Sequence, residues 1–254
     1  MQNIITQNSE LYNLKKKFLK LFPPEKIKTL TLEEYSNSEN NSFIYHMEFG
    51  LLKNLGGIRG GSAFKFGIFK HRKEEVENRE EKGKKIWEGF YAWQQNYGES
   101  KNEAFENIRK NIVKIIENTQ SDNLKAIDKI VNRNDNRSLS HHFAWKIAFV
   151  YGKENVINIF NQDALKVSMD YFNESYNDNI QTSELNKVLL SHKSSDEDYF
   201  DFCNSLWKRS KLNNMSNVIT NMLSKYKEII NETKLEDEIY KWKLVKENNG
   251  VSNL

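Results

Sequence analysis

One cysteine, two prolines and no long apolar run set the first limits on this chain of 254 residues. Cys203 on its own can close no intramolecular disulfide and can build no structural zinc cage, so a reducing, cytoplasmic setting is expected. The prolines are adjacent, Pro23 and Pro24, which leaves the rest of the chain without the residue that most strongly interrupts helices. No stretch approaches the roughly 20 consecutive apolar residues that a membrane-crossing helix needs. The amino terminus, Met1 to Thr6, carries no basic run ahead of an apolar segment, so neither a membrane span nor a signal peptide is expected. A dominant charge is missing too: 38 basic against 35 acidic residues give +3 and a pI near 8.6, too mild to mark a nucleic-acid protein by total charge.

Catalytic signatures are equally scarce. There is no Gly-x-x-x-x-Gly-Lys-Ser/Thr, since the glycine-lysine pairs at Gly83 and Gly152 lack the upstream glycine and the hydroxyl that ligates magnesium. Gly-x-Gly-x-x-Gly, Gly-x-Ser-x-Gly and His-Glu-x-x-His are absent as well. His46-Met47-Glu48 matches the first half of a zinc deaminase signature, but one cysteine cannot supply the second half. The Glu-x-Lys triplets of metal-dependent nucleases occur at Glu80, Glu99 and Glu232, all in segments that read as loop or helix rather than strand. His141 and His142 are consecutive, and helix positions about 100° apart rarely share one ion, so they read as a polar helix start. No cofactor and no metal are expected.

What remains is the composition of a folded protein, 38% hydrophobic and 29% charged, long enough for one large domain with a smaller appendage. The expected fold class is α+β, predominantly helical, with a small antiparallel β element near residues 43–69 and a helical carboxy-terminal tail. Leu11, Leu14, Phe18, Leu21 and Phe22 recur at helical spacing until Pro23 stops them. Thr31 and Glu34 have the spacing of a capping box. Phe43, Tyr45, Met47 and Phe49 alternate with more polar neighbours, which predicts a strand. Phe64 to Phe69 read as a second strand, and the glycine-rich run Gly56 to Ser62 between them as a wide hairpin loop. Gly67 inside that strand implies a bulge or a close backbone approach.

Beyond the charged connector from Glu74 to Lys85, the pattern is helical. Ile86, Phe90, Trp93 and Tyr97 form a stripe that stops at Gly98. Ser100 with Glu103 caps a helix bearing Phe105, Ile108, Ile112 and Ile115, and Leu124, Ile127 and Ile130 continue it. Phe143 to Tyr151 leave little polar face, as expected of a central core helix. Further helices are expected around Leu165 to Phe172, Leu185 to Leu189 and, after a cap at Ser195, Tyr199 to Leu206. The polar, asparagine-rich stretch Lys211 to Asn217 predicts a boundary between a domain at 1–212 and a tail at 213–254, where Val218 to Ile230 and Leu235 to Val245 read as helices.

One feature of distribution stands out. From Gly50 to Lys73 the charged residues are Lys53, Arg59, Lys65, Lys70, Arg72 and Lys73, with acids crowding both sides. Backbone N–H groups of a glycine-rich loop can form an anion nest, with Arg59 gripping a phosphate. On a helix Trp87, Tyr91 and Gln94 would lie off the apolar stripe, which leaves two rings available for stacking on a base. The alternative is a plain solvated turn with aromatics packed against it, and both readings stay open.

A resemblance is carried by the ordered set Leu32-Glu33-Glu34-Tyr35, Asn41 to Tyr45 with Glu48, Leu55 to Ser62 running into Lys65 to Phe69, Tyr91-Ala92-Trp93 near Tyr97-Gly98, and Trp145 to Tyr151. From Glu10 to Trp207 the chain resembles the region placed ahead of the AAA+ module in bacterial restriction proteins of the McrB type. That resemblance implies a DNA-recognition role in anti-phage defence, with an AAA+ motor and a nuclease subunit as partners. Glu238 to Lys246 are similar to the opening of a helical segment found downstream in such proteins, yet no motor follows before Leu254. The expectation is therefore a DNA-binding specificity domain, not itself an enzyme, in which Arg59, Lys65, Lys70, Arg72 and Lys73 contact phosphates and Trp87 or Tyr91 stacks on a base. The alternatives are a protein-interaction adaptor docking through helix faces after Val156, and a divergent metal-dependent nuclease using Glu48 or Glu80.

Overall fold

The computed structural model describes residues 2–37, 39–58, 60–73, 85–131, 139–211 and 224–225, with side chains from Asn8 onward. Contacts divide the chain into two compact units, 1–207 and 208–254; all that follows concerns the first. Arg59, the connector through Glu74 to Lys84, the expected boundary at 212–213, the triplets at Glu80 and Glu232, the segment Glu238 to Lys246 and the expected tail helices, apart from 224–225, lie outside the described residues.

Helix α1 (Gln2–Leu21) ends just ahead of the two prolines, and Pro24 opens α2 (Pro24–Thr29), where a missing N–H costs nothing. The expected capping box is present: Thr31 Oγ1 accepts from Glu34 N and Glu34 Oε2 accepts from Thr31 N at the start of α3 (Leu32–Tyr35). The strand expected at Phe43 to Phe49 is instead helix α4 (Phe43–Glu48), with Ser42 Oγ accepting from Tyr45 N. The burial pattern gives the reason. Phe43, Ile44 and Met47 are the buried residues, spaced as one helical face, while Tyr45 and Phe49, which a strand would bury with them, are not.

The glycine-rich run therefore joins two helices rather than two strands, α4 and the short α5 (Ser62–Phe66). The sheet lies further along the chain than expected: β1 (Ile68–Lys70), β2 (Lys85–Glu88) and β3 (Tyr91–Gln94), antiparallel in the order β1-β3-β2. The helical stripe expected from Ile86 to Tyr97 is overturned by the same arrangement. Gly89, at φ +61°, takes the first position of a two-residue turn, a conformation an L side chain resists, and reverses the chain between β2 and β3. Only the end of that stripe is helical, as a single 3₁₀ turn, Gln95–Tyr97. Gly67 permits a close approach of the kind expected: a Cβ there, at φ +81°, would sit 2.6 Å from Ile108 Cδ1.

The remaining helices follow their periodicity. Ser100 caps α6 (Lys101–Gln120), which buries Phe105, Ile108, Ile112 and Ile115, and α7 (Leu124–Ile130) follows. Helix α8 (His141–Tyr151) is the centre of the core, buried at every position from Phe143 to Tyr151 and packed against α6 and α1. Helices α9 (Gln162–Tyr171) and α10 (Thr182–Ser191) pack on one another. Helix α11, which runs from 199 to the end of this unit, is capped by Asp198, whose Oδ1 accepts from Phe200 N and Asp201 N; the cap expected at Ser195 lies in a turn before it. Asp198 also accepts from Asn8 Nδ2 and Tyr12 Oη, which ties α1 to the start of α11. The whole is mostly helical with one small antiparallel sheet, and no helix among the described residues is long and apolar enough to cross a membrane.

Candidate functional site

The basic stretch between Gly50 and Lys73 does not form one surface. Lys53 is exposed between α4 and α5, whereas Lys65 turns inward, 6% exposed, and its Nζ pairs with Glu48 Oε1. Lys70, on β1, places its Nζ 2.7 and 2.9 Å from the two oxygens of Glu33. Tyr91 Oη donates to the same carboxylate at 2.7 Å. The Lys70 hydrogen bond, then that of Tyr91, holds the Glu33 carboxyl below its usual range, while burial and Glu33 push the Tyr91 hydroxyl up. Lys65 is thus paired with Glu48, and Lys70 and Tyr91 both with Glu33.

Arg72 and Lys73 are the described cations of the expected set that remain exposed, immediately after β1. The sheet explains which aromatic joins them. Ile68, Trp93 and Ile86 are in register on one face, where Ile68 and Trp93 are fully buried. Strand alternation puts Lys70 and Tyr91 on that same face, and Phe69, Ala92 and Trp87, also in register, on the other. Trp87 is half-buried there, with its ring 4.8 Å from that of His71, which in turn lies 5.1 Å from Phe69. His71 N donates to Phe90 O at 2.7 Å, which brings the chain leaving β1 against the hairpin turn. Phe90 itself is 46% exposed at that turn. The sequence pattern placed Phe90 on a helical stripe; a glycine between two aromatic-rich runs was the signal that could have put it at a tip.

A second group lies inside. Lys146, on α8, is 1% exposed and its Nζ donates to Leu52 O at 3.0 Å and Gly56 O at 2.6 Å. Burial pushes its amine down to about 7, with Lys65 acting in the same direction and Glu48 opposing both. Ser140 Oγ adds a 2.8 Å hydrogen bond to Lys65 O. The amine of Lys146 is thus a clasp: two of its three donors close the glycine-rich segment onto the central helix. Sequence reasoning gave this lysine no role, because an apolar run with one lysine carries no sign of which carbonyls that lysine will find.

His141 and His142 open α8, as expected of a polar helix start. Among the described residues no three His, Cys, Asp or Glu side chains are grouped to hold a metal. Glu48, which a nuclease would need beside its metal, is taken by Lys65, and the Glu99 triplet lies at the capped start of α6. Burial raises the Cys203 thiol to about 12, which keeps it protonated and unreactive. No protein-family model, no curated protein and no solved structure matches the chain.

Proposed function

We propose that this chain is a DNA-recognition domain of a bacterial anti-phage restriction system, acting in the cytoplasm as the amino-terminal regions of McrB-type proteins do. Cleavage and translocation then belong to an AAA+ motor and a nuclease subunit, and the chain itself is not an enzyme. The observation that supports this reading is that exposed Arg72 and Lys73 directly follow His71, whose ring lies 4.8 Å from that of Trp87 and whose backbone N donates to Phe90 O at the hairpin turn. Cations supply sequence-independent attraction to phosphates, and aromatic rings at the same place supply contact with bases.

The test is fluorescence anisotropy of the purified chain against unmodified, methylated and hydroxymethylated duplexes and single strands across a salt series without magnesium. Affinity is expected to fall by about 0.9 log units per phosphate contact for each tenfold rise in salt on duplex, and by about 0.7 on single strands. Replacing Arg72 and Lys73 by glutamate is expected to lower that slope. Binding to none of the probes, or binding indifferent to salt, removes the reading. The adaptor reading has in its favour two exposed aromatic residues after Val156, Tyr171 on α9 and Trp207 on α11; a defined protein complex in light scattering, with no DNA affinity, would put it first.

A further inference from the structure

We infer that Phe64, with Phe49 beside it, is a wedge that enters between adjacent base pairs of duplex DNA and kinks it. The inference rests on the DNA reading above and gives the bound DNA a definite shape.

Among the described residues these two rings are the most exposed large apolar side chains, 61% for Phe64 and 57% for Phe49. Each position follows from its helix. α5 turns Ala63, Lys65 and Phe66 inward and leaves Phe64 outside, while Phe49 ends α4 off the face that buries Phe43, Ile44 and Met47. The ion pair of Glu48 with Lys65 joins the residue before Phe49 to the residue after Phe64, and Lys65 Nζ lies 6.0 Å from the Phe49 ring. The two ends of the glycine-rich segment therefore stand side by side, each bearing an outward ring. Their backbone is fastened to α8: Lys146 holds Leu52 O and Gly56 O, and Ser140 Oγ donates to Lys65 O at 2.8 Å. A ring presented on a fixed base loses little freedom on insertion.

The surroundings suit a polyanion. Gly57, Gly60 and Gly61 are exposed in the segment between the rings, and at Gly57 and Gly61 an added Cβ would meet nothing within 4 Å, so no side chain at these positions keeps a DNA backbone away. Glu48 is the only acid from Phe43 to Lys73, and it is taken by Lys65. Lys53 is exposed in the turn after Phe49, its N donating to Gly50 O at 3.2 Å. Phosphates thus meet attraction here without a free carboxylate from this stretch, and an exposed phenylalanine is among the apolar side chains that unstack a base step. The eight residues from Phe64 to Arg72 span at most about 29 Å, under one turn of B-DNA, so a single duplex can meet both the wedge and the exposed cations after β1.

The test uses the full chain and two duplexes of equal length, labelled at both ends, one fully matched and one with a central mismatch. Each is titrated with the natural protein, Phe64→Ala and Phe64→Leu. Phe64 is exposed, so both variants are expected to fold, as circular dichroism will check. A mismatch spares part of the cost of unstacking, so the natural protein is expected to bind the mismatched duplex at least about tenfold more tightly. Energy transfer between the labelled ends is expected to rise on binding, since a kink of about 20–90° brings them together. Phe64→Ala is expected to lose both the preference and the rise while keeping a salt-dependent affinity for the matched duplex. Phe64→Leu, still an apolar wedge, is expected to keep most of both. Equal affinity for the two duplexes, no rise in energy transfer, or a preference that survives in folded Phe64→Ala overturns the wedge while leaving DNA recognition standing. A dimer in light scattering that Phe64→Ala dissociates, with DNA binding unaltered, assigns the rings to a protein contact and overturns it too. Absence of binding to either duplex removes the DNA reading and the wedge with it.

Discussion

Within the basic stretch, Lys65 and the cations that follow Gly67 meet opposite fates. Before it, Lys65 goes inside, pairs with Glu48 and lies near a second buried lysine, Lys146. After it, Lys70 is half-buried against Glu33, and Arg72 and Lys73 reach the surface. A run of like charges in sequence is therefore no measure of a charged patch in space. What separates them is the partner each cation finds. The inner ones meet a carboxylate or backbone carbonyls that burial has stripped of water, so their pairing is demanded; the outer ones have water as an alternative.

Removing the inner partner should have the largest effect. Glu48→Leu leaves Lys65 and Lys146 in the interior without a counter-charge, and urea denaturation is expected to show a loss of about 3–5 kcal/mol. A loss no larger than that of an exposed pair would erase the distinction between inner and outer cations.

Next in size is a pH effect. Lys146 titrates near 7 when folded and at its ordinary 10.5 when unfolded, so between those values the unfolded chain binds the extra proton and stability rises with pH. The whole effect is on the order of a few kcal/mol. Lys15, pushed down to about 8 by burial, adds to the same trend, while the buried Cys203 thiol opposes it above its ordinary value of 9. The measurement is the difference between the natural protein and Lys146→Met in denaturation midpoint from pH 7 to 9, which cancels those two groups. The rise should be smaller in the variant, and equal slopes would show that Lys146 keeps its proton in the fold.

Gly67→Ala tests the junction itself. Its positive φ and the 2.6 Å approach to Ile108 predict a loss of about 1–3 kcal/mol in the same denaturation experiment. The smallest effect is expected of Lys70→Met, whose pair with Glu33 is partly solvated: a change of about 0–1 kcal/mol, with stability little altered by added salt in the variant.

How much of this could be read beforehand depended on the length over which a pattern repeats. Helix α6 declares itself through a cap at Ser100 and four apolar residues on one face, and α8 through an apolar run with almost no polar side. Phe43 to Phe49 is too short to separate the two periods: the same residues satisfy alternation and, through Phe43, Ile44 and Met47, a helical face. What decides between them is tertiary, since as a helix α4 turns Phe43, Ile44 and Met47 together into the core. The stripe Ile86, Phe90, Trp93 and Tyr97 misleads in the opposite direction. Its spacing is helical, but Gly89 falls inside it, and pairing with β1 across a long sequence gap rewards the hairpin. For the candidate site, Arg72, Lys73 and Trp87 were visible as residue types. That Lys65, Lys70 and Tyr91 are occupied was not, because their partners Glu48 and Glu33 lie 17, 37 and 58 residues away.

The position of α8 also bears on how the chain is made. Lys146, Ser140 and Tyr151 fasten this helix to carbonyls of Leu52, Gly56, Lys65 and Phe22, all of them synthesised 75 to 129 residues earlier. A nascent chain that has emerged only as far as α7 has its amino-terminal helices and sheet strands but not the piece around which they close. Folding of the unit should therefore wait on α8, and two polypeptides divided between α7 and α8 should each stay unfolded alone and assemble only when mixed.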